Sequence, residues 1–170
     1  MMKNIFLILC LSILFTSCNH EEKGTDILTP INWKKRSIQL KDTDSLINGS
    51  SYLAVYSEIY SVTEHRTINL TVTVSLRNIS STDTIFMTRG EYYNTKGDLI
   101  RSYFDAPIYL KPLETIEIVI EEQDTHGGSG ANFIFDWAVP ENIQEPVFDA
   151  VMISTSGQQG ISFTTQGVKR

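Results

Sequence analysis

The sequence predicts an all-β chain whose antiparallel strands, about seven or eight of them, pack as a sandwich without a disulfide. Three observations predict it. From Ile68 to Leu76, apolar and small polar residues alternate without a miss, the period of a strand with one face in a core and one in water. Similar short runs recur at close intervals, separated by turn-forming residues. No window holds amphipathic helical spacing over three turns, which argues against βαβ architectures.

The N-terminus stands apart from this pattern. Met1 to Asn4 is a short positive region, Ile5 to Phe15 is apolar apart from Cys10 and Ser12, and Thr16-Ser17 precede Cys18. The apolar run is shorter than the roughly 20 residues a membrane span needs, so residues 1–17 are read as a signal peptide. Leu14-Phe15-Thr16-Ser17-Cys18 resembles a bacterial lipoprotein signal, with Cys18 lipidated and first in the mature chain. Cys10 leaves with the signal and Cys18 is acylated, so neither of the 2 cysteines remains for a disulfide, a thiolate zinc site or a nucleophile. Loss of Lys3 makes the mature chain one unit more negative than the −6 of the full sequence, a charge unsuited to general nucleic-acid binding.

Residues 18–45 read as the lipidated N-terminus and a flexible tether. Asn19 to Asp26 is polar and aperiodic, Thr29-Pro30 is a break, and Trp33-Lys34-Lys35-Arg36 is a basic cluster within the linker. The folded domain is placed at 46–170. Its predicted strands are Tyr52–Tyr60, Ile68–Leu76, Thr84–Thr88, Leu99–Phe104, Thr115–Glu121, Asn132–Trp137, Val147–Ile153 and Ile161–Thr164. Turns are expected at Asn78–Asp83, Asn94–Asp98 and Gly157–Gly160.

Two details narrow the sandwich to an immunoglobulin-like one. The long strand ends in Leu76-Arg77-Asn78-Ile79-Ser80, and Leu110-Lys111-Pro112-Leu113 puts a proline turn directly before the alternating Thr115–Ile118; both resemble elements of bacterial immunoglobulin-like domains. With no disulfide, Trp137, Phe133 and Phe135 must pack the core directly. Tyr52–Tyr60, Leu70–Ser80, Asp124–Trp137, Glu145-Pro146-Val147, Ala150–Ile153 and Gly160–Phe163 together resemble a bacterial lipoprotein family, domain of unknown function 3124 (DUF3124), over roughly residues 45–168. The resemblance implies a single envelope-associated domain and carries no activity with it.

One stretch is chemically conspicuous. Asp124-Thr125-His126-Gly127-Gly128-Ser129-Gly130-Ala131-Asn132 sets three glycines within four residues. A nucleophile elbow needs a helix after its serine, and here a strand follows; a P-loop needs a Gly-Lys-Ser/Thr that is missing. Asp124 and His126 offer an oxygen and a nitrogen ligand, with Glu121, Glu122 or Asp136 as further donors, so a metal- or anion-dependent enzyme is one reading. Consecutive backbone N–H groups at Gly127, Gly128, Ser129 and Gly130 suit a small ligand, which is another. The structural reading gives the glycines positive φ or close packing and makes Asp124, Ser129 and Asn132 partners of loop donors.

Tyr52, Tyr56 and Tyr60 fall on one side of their predicted strand and, with Tyr92 and Tyr93, compose a recognition face. The sequence thus predicts a lipid-anchored envelope module that binds a protein or glycan partner without catalysis or cofactor. Its expected contacts are the tyrosine face or the Asp124–Asn132 loop.

Overall fold

Alternation becomes architecture because each strand has one apolar face to bury. The structure, a computed structural model, describes residues 31–41, 45–155 and 160–170. The signal peptide, Cys18, the first part of the tether and most of the Gly157–Gly160 turn lie outside these residues. The described chain contains a short helix α1 (Trp33–Arg36) and strands β1 (Leu46–Val55), β2 (Glu58–Ser61), β3 (Thr63–Asn69), β4 (Thr71–Arg77), β5 (Ile85–Tyr93) and β6 (Leu99–Ser102). It continues with β7 (Ile108–Leu110), β8 (Thr115–Ile120), β9 (Ala131–Pro140), β10 (Val147–Ser154), β11 (Ile161–Gln166) and β12 (Val168–Lys169).

All pairings between these strands are antiparallel. One sheet runs β12-β1-β9-β5-β6, with β7 also on β5; the second runs β11-β10-β4-β8; β2 and β3 form a separate ribbon. The two larger sheets make the all-β sandwich that the alternation predicts. From the first sheet, Leu53, Val55, Met87, Tyr92, Phe133, Phe135 and Trp137 are buried; from the second, Val72, Val74, Leu76, Ile116, Ile118, Ile120, Phe148 and Met152. Burying an aliphatic or aromatic side chain of this kind is worth about 1.5–3 kcal/mol.

Stacked rings take the place a disulfide would occupy. Tyr92 stacks on Phe133 with centroids 4.8 Å apart, Phe133 on Phe135 at 5.3 Å, and Phe135 on Phe148 at 4.7 Å. The last contact crosses from β9 to β10 and so joins the sheets. Trp137 is buried over Gly49, its cross-strand partner, where a Cβ would lie 2.2 Å from the indole, and its Nε1 donates to Ser51 Oγ at 3.1 Å.

Three differences from the sequence reading have physical causes. The predicted Tyr52–Tyr60 strand breaks after Val55, because Ser57 turns to donate its backbone N–H to Gly128 O and to accept from Leu70 N. Buried Leu70 likewise divides Ile68–Leu76 into the end of β3 and the start of β4. The predicted tether is docked at its far end. Trp33 packs on Phe104 and Tyr103 at 5.6 and 6.1 Å, and Arg36 Nη2 donates to Glu114 Oε1 at 2.7 Å. Ser37 bridges Ile108, and Ile38 N donates to Pro107 O. An aromatic and an arginine in a polar stretch read as linker until the chain supplies their partners, which come from residues 103–114.

A docked segment carries stability that a free tether does not. The double variant Trp33→Ala/Arg36→Ala is expected to lose about 1–3 kcal/mol of unfolding free energy in urea titration, mostly from buried ring area. An unchanged midpoint would mean that the Trp33 and Arg36 side chains contribute nothing to the fold.

Candidate functional site

The glycine-rich loop joins β8 to β9. It turns first at Glu121, whose carbonyl accepts from Asp124 N at 2.9 Å, and then winds through a single 3-10 turn at Gly128–Gly130. Two neighbours shape it. A Cβ on Gly127 would lie 2.0 Å from Tyr92 Oη and 2.5 Å from Ser57 Oγ, so the backbone passes where no side chain fits. Gly128 has φ of +70°, in the left-handed region that favours glycine. Thr95, at the tip of the β5–β6 hairpin, clasps the loop: its N and Oγ1 both donate to Gly127 O at 3.0 Å, and its Oγ1 accepts from Gly130 N at 2.9 Å. Packing accounts for Gly127 and backbone conformation for Gly128, while a Cβ on Gly130 would come within 3.2 Å of Thr95 Cγ2.

The carboxylate at the start of the loop is shared. Asp124 Oδ1 lies 2.8 Å from His126 Nδ1 and accepts from His126 N at 3.3 Å, while Oδ2 accepts from Arg101 Nη2 at 3.1 Å. Burial raises the carboxyl, but the His126 and Arg101 hydrogen bonds outweigh it and hold Asp124 below the usual carboxylate range. Arg101 Nη1 also donates to Tyr103 Oη at 3.3 Å, and its guanidinium lies over the Tyr103 ring. Burial pushes the Tyr103 phenol up against the opposing pull of Arg101, and it pushes up Tyr92 against its Ser57 hydrogen bond at 2.7 Å. Asp124 orients the imidazole and leaves His126 Nε2 toward solvent, the His side chain being 78% exposed.

The predicted metal set does not assemble. Among the described residues no group of three or more His, Cys, Asp or Glu side chains is placed to hold an ion. Asp136 is on β9, where its Oδ2 lies 2.7 Å from Arg89 Nε, and Asp124 is already taken by Arg101 and His126. Ser129 sits within the 3-10 turn, and Asn132 belongs to β9 as the partner of Ala54 and Tyr93.

The family is decided by residues 48–169, which match the model of a protein of unknown function, DUF3124. The chain belongs to this family. The match spans β1 through β12 and includes the loop, the ribbon and both sheets of the sandwich. No curated protein and no solved structure matches it.

In this DUF3124 chain the predicted tyrosine face is dispersed. Tyr92 is fully buried in the aromatic stack and presents nothing to a partner. Tyr56 falls in the break after β1, edge-on to Phe163 at 5.8 Å. Tyr52 is 37% exposed on β1 and Tyr60 63% exposed on β2, in different sheets because the strand is interrupted between them. Beside Tyr60, Val62 links β2 to β3 with φ of +67° and 89% exposure. Arg101, Tyr103, Thr95 and Val62 carry no motif; they become visible only when the chain brings them to the loop or the ribbon tip.

Two measurements separate scaffold from site. Gly127→Ala is expected to cost about 2–3 kcal/mol in urea unfolding, because the methyl overlaps two hydroxyls fixed by the core. Asp124 has a folded pKa below that of an ordinary aspartate, so its stabilisation is present above the unfolded pKa and is lost as pH falls through the lower, folded one. Thermal melts should therefore show Asp124→Asn less stable than wild type near neutrality, with the gap closing at pH below about 4. A gap independent of pH would mean that its hydrogen bonds do not favour the ionised form.

Proposed function

We propose that this chain is a lipid-anchored binding module of the bacterial envelope, acylated at Cys18, which holds another envelope protein through the β2–β3 ribbon. The signal-like segment and the cysteine after it support the anchor. The exposed tip of the ribbon carries the binding reading. Val62 is β-branched, lies in the left-handed region and is 89% exposed, and Tyr60, two residues before it, is 63% exposed. Holding a non-glycine residue in that region costs on the order of 1–3 kcal/mol, and here no burial of the side chain offsets it. Strain of this kind collects at contact sites.

The backbone adds a second attraction. β2 and β3 pair with each other and with no other strand among the described residues, so each has an outer edge able to accept a strand from a partner. Tyrosine suits a contact of this type, since it offers a large rigid ring with a polar tip. Glu58, Glu64 and Arg66 along the ribbon give it mixed charge, which fits a protein surface better than an anionic lipid surface.

Affinity capture from detergent-solubilised envelopes tests this with the tagged full chain and the variant Tyr60→Ala/Val62→Gly. A specific protein recovered by wild type is expected to fall at least about tenfold with the variant, while the variant's thermal midpoint stays level or rises as the Val62 strain is relieved. Equal recovery by both forms would remove the ribbon as the contact.

A further inference from the structure

We propose that β11 is the contact of a two-fold dimer, in which two copies of this chain pair antiparallel along their β11 edges and join their four-stranded sheets into one. Edge strands invite such pairing unless something blocks it, and natural sheets block it with charge, shortness or a cover. The other edges of the two larger sheets use these devices. β8 carries Glu117 and follows Glu114. β6 carries Arg101, β12 has 2 residues with Lys169 as one of them, and β7 has 3, with Ser37 of the docked segment bridged to Ile108. β11 has none of them. Ile161–Gln166 is 6 residues long without a charge, proline or glycine, and among the described residues it pairs with β10 alone.

Backbone geometry shows which groups that edge offers. Gly167, just past β11, donates its N–H to Phe148 O at 2.8 Å, and in an antiparallel ladder residues alternate between bonding the neighbour and pointing away from it. Ile161, Phe163 and Thr165 therefore bond to β10 opposite Ser154, Met152 and Ala150, while Ser162, Thr164 and Gln166 turn their N–H and C=O groups to the open edge. The side chains there are also short of cover. Ile161, Phe163 and Thr165 share a face with those buried β10 residues but are only partly buried, whereas Ile116, Ile118 and Ile120 on the opposite edge are at most 3% exposed. Tyr56, just past β1 and edge-on to Phe163, closes part of the gap. A strand added beside β11 covers the rest.

The chemistry of the strand selects a second copy as that neighbour. Two-fold pairing sets each residue opposite itself or another residue of the same face, so a charge near the axis meets its own image. Glu117 forbids this on β8, and β11 has no such group. With Thr164 on the axis, Thr164 faces its counterpart, Ser162 faces Gln166, and Phe163 faces Thr165. Thr164 with Thr164 outside and Phe163 with Thr165 inside are both cross-strand combinations that stabilise sheets. This register pairs every outward-turned residue of β11 and gives about six hydrogen bonds between the copies. Because the contact uses β11 of both copies and charge guards β8, the assembly closes at two. The edge is separate from the ribbon, and neither reading depends on the other.

Sedimentation equilibrium of the full chain in a density-matched detergent tests the inference. Wild type is expected to show a reversible monomer–dimer equilibrium at protein concentrations up to about 100 μM. Thr164→Lys sets like charges opposite each other on the axis, and Thr164→Pro removes an N–H that points to the open edge and bonds nothing in the monomer. Each should weaken dimerisation at least about tenfold. The side chain at 164 is exposed, so Thr164→Lys should leave the thermal midpoint of the dilute, monomeric protein level. Should one variant fail to fold by circular dichroism, the other decides. Tyr60→Ala/Val62→Gly should leave the dimer intact. A monomer alone up to about 100 μM, a dimer that the folded position-164 variants retain, a dimer lost with the ribbon variant, or a species larger than a dimer would each overturn the proposal.

Discussion

The fold depends on a ladder of aromatic rings. Tyr92, Phe133, Phe135 and Phe148 stack in sequence, and the Phe135–Phe148 contact is the one that crosses between sheets. A sandwich held by a disulfide can tolerate a looser core. Here ring packing serves instead, and it forces glycine wherever a ring must lie against backbone: Gly49 beneath Trp137 and Gly90 beneath Phe104. Such contacts are individually small and collectively large, so the core tolerates little change of volume.

The same ladder reaches the surface. Tyr92 ends the stack with a hydroxyl bonded to Ser57, and Gly127 passes directly over that pair. Ser57 in turn anchors the break between β1 and β2 through its backbone, which sends the ribbon away from the six-stranded sheet. One buried hydrogen bond thus positions both the glycine loop and the base of the ribbon. The Asp124–His126 pair consequently sits on a loop braced from below, with Arg101 holding the carboxylate from β6. His126 is tied to its own loop through Asp124, with its side chain 78% exposed.

Polar pins do for the opposite end of the second sheet what the rings do for the centre. Asn78 is buried and donates from Nδ2 to the carbonyls of Asp83, Leu110 and Lys111, while its Oδ1 accepts from Ser80 N. A single amide therefore ties the turn after β4 to the chain entering β8. The docked α1 segment adds to the same region through Arg36 and Glu114. Loops fixed in this way leave exposed variation to the ribbon tip and the outward sheet faces, where side chains are free of packing duties.

The sequence alone determined the class of fold, because period-two alternation records which face of each strand must leave water, and no helical spacing competes with it. It also determined the turns at Asn78–Asp83 and Asn94–Asp98, whose asparagine side chains accept from nearby backbone N–H groups. It showed that Phe133, Phe135 and Trp137 would form the core, since aromatic residues at every second position share one face. Only the tertiary structure decided what the glycines are for, because the hydroxyls of Tyr92 and Ser57 that exclude a side chain at Gly127 come from distant parts of the chain. It alone buried Tyr92, docked Trp33 and set Val62 at an exposed strained tip. Each of these depends on strand register or on a break in a strand, and a one-residue change in either moves a side chain to the other face.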